Sequence, residues 1–179
     1  MPGKHPSART AELSAADSRR LLAEHAAYVV QLAAQLREQA LDAALAPIGL
    51  TSNRLRVLSI IQRMKSSTMG ELAFLSGIDR TTLTRTVDQL TAAELVTRGD
   101  APRDRRKVAL TLTAKGARLH RSAMPMAAEV NATAFAGISD ERLREAIKAL
   151  RDMIGQLVTD PRDLETLMSL DRTARAAID

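Results

Sequence analysis

Apolar positions recur along this chain in two rhythms, every three or four residues over most of its length and every second residue in one short stretch. The first rhythm predicts amphipathic helices and the second predicts strands. From Arg19 to about Ala46, Leu22, Val29, Leu32 and Leu36 stand at multiples of three and four, with Leu21, Tyr28, Leu41 and Leu45 widening the stripe. This is one long helix, with Ser14-Ala15-Ala16-Asp17 as an earlier start and Pro47-Ile48-Gly49 as its end. Thr51 opens a second helix that lines up Leu55, Leu58, Ile61 and Met64.

The most informative stretch runs from Thr68 to Thr113. Thr68-Met69-Gly70-Glu71 is a capping-box pattern, in which hydroxyl and carboxylate satisfy each other's free amides at a helix start. Leu72, Ala73 and Leu75 give that helix an apolar face. Ser76-Gly77-Ile78 breaks it, since glycine takes the left-handed backbone angles a helix end commonly needs. Asp79 is a good N-cap for the next helix, which stacks Leu83, Val87 and Leu90 on one side. Its other side shows Arg80, Thr81, Thr82, Thr84 and Arg85, residue types that hydrogen-bond phosphates and base edges when a helix lies in a major groove.

Beyond it, Val96-Thr97-Arg98 and Lys107-Val108-Ala109-Leu110-Thr111-Leu112 alternate as two paired strands do, with Gly99 to Arg106 as the loop between them. Thr113 caps a further long helix with Leu119, Met124 and Val130, kinked at Pro125 and closed by Gly137. Ser139, Asp140 and Glu141 open the last clear helix, where Leu143, Ile147, Leu150, Ile154 and Leu157 form a long seam suited to a subunit interface. A final helix through Leu164, Leu167, Met168 and Leu170 has no role the sequence assigns.

Three pieces together resemble the MarR-type (multiple-antibiotic-resistance regulator) winged helix-turn-helix. They are Gly70-Glu71-Leu72-Ala73, the helix from Asp79 to Leu95, and Asp104-Arg105-Arg106 followed by Leu110-Thr111-Leu112-Thr113-Ala114-Lys115-Gly116. A lone helix-turn-helix pattern is weak; the Asp-x-Arg wing leading into a Leu-Thr-x-x-Gly helix start is fairly specific. The resemblance covers roughly Leu21 to Val158. It implies a mainly α fold with a small β-hairpin wing, a winged helix-turn-helix plus N- and C-terminal dimerisation helices. The expected divisions are a tail at 1–17, a dimerisation helix at 18–48, the DNA-binding domain at 49–113, dimerisation helices at 114–159 and an extension at 160–179. One departure stands out: Arg54 and Leu55 occupy the first turn where the family usually shows a Gln and an aromatic.

Composition narrows the chemistry. Across 179 residues, 45% are hydrophobic but only 2% aromatic, so the core is aliphatic. The net charge of +5 favours a polyanionic partner, without separating nucleic acid from a membrane surface. With no cysteine, disulfides, thiolate metal sites and thiol redox sensing are excluded. The absence of an apolar leader or a membrane-length stretch makes a cytoplasmic protein the expectation. His5, His25 and His120 are far apart and have no metal-ligand spacing, and neither a phosphate loop nor a nucleophile elbow is present. The expectation is therefore no enzyme, no cofactor and no metal.

Several residues carry two readings. Arg98 to Lys107 holds five basic residues against Asp100 and Asp104, a net +3. That loop is either solubilised by its charge or a DNA-contacting tip through Arg103, Arg105 and Arg106, oriented by Asp104; the flanking motif favours the tip, and arginine suits a narrow minor groove. His25, Tyr28 and Arg54 line a small-molecule pocket on one reading; on the other, Tyr28 is a satisfied core tyrosine and His25 a partly exposed histidine. Arg54, Arg56 and Arg63 read first as a solvated face, with pocket or backbone contacts as the alternative, and His120 as a surface residue rather than a sensor. Lys4 and Arg9 belong to an unstructured tail or to a DNA- or partner-touching arm. The resemblance implies a homodimer on a near-palindromic duplex operator, repressing until a small-molecule effector binds. A protein-interaction module and a small enzyme are the rival classes.

Overall fold

A computed structural model describes residues 14–101, 104–161 and 163–167, with side chains for all of these except 100–101 and 104–107. Two compact units are distinguished, Met1–Glu38 and Gln39–Asp179. Helix α1 (Ala15–Leu45) runs through both. It starts before Arg19 because Ser14 is a working cap: its Oγ accepts from the Asp17 amide at 3.1 Å and donates to the Asp17 carboxylate at 2.6 Å. In the first unit α1 is exposed along nearly all its length, Leu21, Leu22, Tyr28, Val29 and Leu36 included.

The second unit holds the core. Leu41 and Leu45, on the last turns of α1, are buried in it, and a 3-10 turn at Ala46–Ile48 leads through Gly49 into α2 (Ser52–Met64). Asp42 fixes that corner by accepting from the Ser52 amide at 2.6 Å. There follow β1 (Ser67–Thr68), α3 (Met69–Ser76), α4 (Arg80–Ala92), β2 (Val96–Ala101), β3 (Asp104–Leu112), α5 (Ala114–Ala134) and α6 (Asp140–Leu157). Leu45, Val57, Leu58, Ile61, Leu72, Leu83, Val87, Leu90, Val96 and Leu110 are almost wholly buried, an aliphatic core from α1's end, α2, α3, α4 and the sheet.

Three expectations change. The hairpin is part of a three-stranded antiparallel sheet in the order β1-β3-β2, because Ser67 and Thr68, too short a stretch to show alternation, pair with Leu110 and Ala109. The strands run on into the expected loop, β2 to Ala101 and β3 from Asp104, with an irregularity at Asp100/Ala101. α5 carries Pro125 inside it; the carbonyl that proline leaves without an amide belongs to exposed Arg121, where water can serve it. His120 is half-buried rather than superficial, with Nε2 3.1 Å from Ser59 Oγ. Among the described residues no helix is long and apolar enough to cross a membrane.

Candidate nucleic-acid interface

The turn between α3 and α4 is built as its residues suggest. Glu71 accepts from the Thr68 amide at 2.7 Å while Thr68 Oγ1 accepts from the Glu71 amide at 3.3 Å, a complete capping box. α3 ends at Gly77, whose φ of 62° is left-handed, and the Ile78 amide donates to Ser76 Oγ at 3.2 Å. Asp79 then caps α4, accepting from the Thr82 amide at 3.0 Å. Hydrogen bonds from the Thr82 side chain first, then its backbone amide, hold the Asp79 carboxyl below its ordinary value of 3.8. The charged cap also suits the positive N-terminal end of the helix.

α4 buries Leu83, Thr86, Val87 and Leu90, and the packing of that stripe fixes what its other side presents. Arg80, Thr81, Thr82, Thr84 and Arg85 are all exposed, spread over the outer side of the helix. Thr84 Oγ1 donates to the Arg80 carbonyl at 2.9 Å, which sets the rotamer of one of these threonines and leaves its oxygen lone pairs to accept. The open groove on this surface is lined by Arg80, Thr81, Thr84, Arg85, Asp88 and Gln89.

Asp88 and Gln89 were not expected here, nor were the two arginines that hold them. Arg98, at the root of the wing on β2, donates to Asp88 Oδ1. Arg54, from the first turn of α2, donates to Gln89 Oε1 at 2.9 Å and to the Gly49 carbonyl at 3.2 Å. An exposed pair of this kind contributes about 0–1 kcal/mol to stability, so its consequence is positional: the C-terminal half of α4 is tied to α2 on one side and β2 on the other. A stripe extended by one more turn from Thr84 and Arg85 would have found Asp88 and Gln89; no local signal points to Arg54 or Arg98. The solvated-face expectation also fails for Arg56, whose Nη1 donates to the Ser76 carbonyl at 2.9 Å.

The junction behind the wing explains the Leu-Thr-x-x-Gly pattern. Thr113 caps α5 through Oγ1, accepting from the Gly116 amide at 3.0 Å and donating to the Glu94 carbonyl at 2.7 Å. Lys115 Nζ donates to the Ala93 carbonyl at 2.9 Å. These contacts press α5 so closely on the end of α4 that a Cβ at Gly116 would stand 2.0 Å from the Leu95 carbonyl oxygen. Glycine is required there.

Of the wing candidates, Arg103 lies outside the described residues, and so do the side chains of Asp104, Arg105 and Arg106, whose backbone belongs to β3. His25 and Tyr28 are exposed on the first unit's part of α1, so Tyr28 is not the core tyrosine expected, whereas Arg54 is engaged on α4 in the second unit. Among the described residues no group of three or more His, Asp or Glu could hold a metal ion.

A capped helix pair carrying an exposed Thr/Arg face, followed by a two-stranded antiparallel wing, defines a winged helix-turn-helix fold. The comparisons say which proteins it resembles. A MarR-family sequence model matches residues 48–107. Over 105 residues the chain is 30% identical to the HTH-type transcriptional repressor NicR of Pseudomonas putida, covering 59% of this chain and 66% of that protein, just short of two thirds of its length. The fold superimposes on a MarR family transcriptional regulator from Silicibacter pomeroyi with a TM-score of 0.69 at 27% identity, over 73% of this chain and 88% of that one. It also superimposes on BpsR of Bordetella bronchiseptica, whose DNA binding is regulated by 6-hydroxynicotinic acid, with a TM-score of 0.63 at 24% identity over 71% and 91%. Over residues 48–107 in sequence, and in its fold, the chain is similar to the MarR family of transcription regulators.

Proposed function

We propose that the protein is a cytoplasmic homodimeric repressor that binds a near-palindromic duplex operator and is released by a small-molecule effector. One α4 per subunit enters each of two successive major grooves, about 34–36 Å apart. Arg80, Thr81, Thr82, Thr84 and Arg85 supply the sequence preference, and Arg103, Arg105 and Arg106, oriented by Asp104, reach the flanking minor grooves. The observation that carries the reading is the division of α4 into a wholly buried apolar stripe and a wholly exposed Thr/Arg face. The dimer is supported by the apolar residues that α1 and α6 leave exposed. Repression is supported by the likeness to NicR, and effector control by the BpsR precedent, with His25, Tyr28 and Arg54 as the residues to test for that ligand.

The test is a selection of bound sequences from random duplexes, followed by titration of the winner at several salt concentrations. Replacing a base-reading residue, as in Arg85→Ala, should cost about 1–3 kcal/mol and relax the selected sequence. Arg105→Ala with Arg106→Ala should weaken all duplexes alike and lower the log–log salt slope by about 0.9 for each phosphate left without a cation. Unchanged affinity and slope in both variants would overturn the interface, and failure to select any sequence would favour a protein-interaction module.

A further inference from the structure

Behind the helix-turn-helix lies a second cationic feature that the DNA-facing surface does not use. Arg56, Ser59, Ile60 and Arg63 follow one another along one side of α2, and with Leu75 of α3 they line a cleft of about 210 Å³. Its lining is chemically mixed. Ile60 and Leu75 are aliphatic, the first buried and the second half-buried. Arg56, Arg63 and Ser59 add two guanidinium-bearing side chains and a hydroxyl, and no carboxylate lines the cleft among the described residues. Such a volume is below the roughly 300–1,000 Å³ of drug-sized pockets, so the occupant is a small molecule with few heavy atoms.

Two of these groups are tied to other elements. Arg56 Nη1 donates to the carbonyl of Ser76, the last residue of α3 and the start of the turn into α4. Ser59 Oγ is 3.1 Å from Nε2 of His120 on α5. Burial, and then the neighbouring charge of Arg121, lowers the His120 pKa from its ordinary 6.5, so the ring is neutral at pH 7. A serine hydroxyl has a single proton. When Nε2 carries hydrogen and donates to Ser59, that proton is available to an acceptor inside the cleft.

We propose that this cleft binds a small aliphatic carboxylate, held by Arg56, Arg63 and Ser59 with its alkyl body against Ile60 and Leu75. Guanidinium-carboxylate pairing is charge-assisted and often two-pronged, which gives the site its preference for an anion. Because Arg56 also serves the Ser76 carbonyl, a bound carboxylate competes for a donor that steadies the turn before α4. Occupancy therefore weakens DNA binding. This regulatory half rests on the DNA-binding reading, while the site itself does not.

The probe is 3-methylbutanoate, with 3-methylbutanamide as its neutral twin and acetate as the head without the body. Titration into the labelled full chain without DNA, followed by nuclear magnetic resonance, should give a saturable shift of the His120 ring signal. The amide and acetate should bind about tenfold more weakly or worse. Arg63→Gln and Ser59→Ala should each weaken 3-methylbutanoate about tenfold, the loss expected for one hydrogen bond to a charged group, and Arg63→Gln should do so with an unchanged thermal midpoint. A non-saturating response, or one equal for acid and amide and unaltered in both variants, overturns the site. On a selected duplex, 3-methylbutanoate should lower the affinity of the parent and not that of Arg63→Gln. Saturable binding with unchanged duplex affinity overturns the coupling through Ser76. A parent that binds no duplex counts against the DNA-binding reading instead, and leaves the binding result standing.

Discussion

α2 and α6 are written in the same code and end in opposite situations. Each repeats an apolar residue every three or four positions. α2 has 13 residues and buries Leu55, Val57, Leu58, Ile60 and Ile61, whereas α6 has 18 and buries none. Ile147 is 43% exposed, Leu150 38% and Leu157 70%. The first unit's stretch of α1 resembles α6, with Leu22 and Leu36 in the open. Periodicity thus says which side of a helix seeks cover and says nothing of where the cover comes from. Burying one such side chain is worth about 1.5–3 kcal/mol, so the seam of α6 holds driving force that this chain does not spend on itself. The proposed homodimer is where it would go.

The comparison can be broken from either end, and the larger effect is on the closed lobe. Gly116→Ala puts a methyl carbon 2.0 Å from a backbone oxygen, at a junction held by three hydrogen bonds, where no flexible side chain can yield. It should destabilise by about 3 kcal/mol or more, read as a drop in the denaturant midpoint, while the amphipathic seam of α6 is untouched. A loss below about 1 kcal/mol would mean that α5 can back away from Leu95, and that the close approach is not a fixed feature.

The opposite break is Ile147→Glu with Leu150→Glu. Both positions face outward, so the core of the second unit should keep its denaturant midpoint within about 0.5 kcal/mol when association is accounted for. Self-association, measured by sedimentation, should weaken about a hundredfold or more, since two charges would have to be buried without partners. A dimer as strong as the parent's would place the interface elsewhere and leave the exposed seam without an occupant.

Much of the lobe could be read from residues that act on their near neighbours. The Thr68 capping box, the Gly77 helix end, the Asp79 and Thr113 caps and the buried stripe of α4 are all local, and each stands where the pattern puts it. What the pattern hid depends on distant partners. β1 is two residues whose strand character exists only through β3. Arg54 and Gln89 are 35 positions apart, and Ser59 and His120 are 61 apart. A single chain offers no rule that brings those pairs together. The expected solvated Arg54 and Arg56 and the superficial His120 therefore gave way to contacts between elements that the periodicity does not describe, while Arg63 stays exposed.

His120 sharpens the same contrast by pH. Its folded pKa lies below the ordinary 6.5, chiefly through burial, so on acidification the unfolded chain takes up the proton first. Stability is complete above that ordinary value and falls as the pH drops from there through the folded pKa. His120→Gln keeps a partner for Ser59 but cannot titrate, and should flatten the fall across that window in urea midpoints measured at successive pH. The effect should be modest, since the ring is only half-buried. An unchanged slope would show that another group governs the acid limb.

The smallest effect concerns Glu94, between α4 and β2. Its φ of 59° is left-handed, a region where a side chain costs about 1–2 kcal/mol and glycine nothing comparable. What Glu94 gains in return is slight: its carboxylate is 3.7 Å from Lys115 Nζ, with both side chains more than half exposed. Lys115 would keep its bond to the Ala93 carbonyl, and the Glu94 carbonyl would still accept from Thr113. Against the relief stands glycine's greater freedom in the unfolded chain, about 0.5–1 kcal/mol. Glu94→Gly should therefore raise stability by about 0.5 kcal/mol, opposite in sign to Gly116→Ala a short way along the same junction. Should it destabilise, the backbone at 94 would not be strained, and the tight seat of α5 against Leu95 would owe something to the glutamate side chain after all.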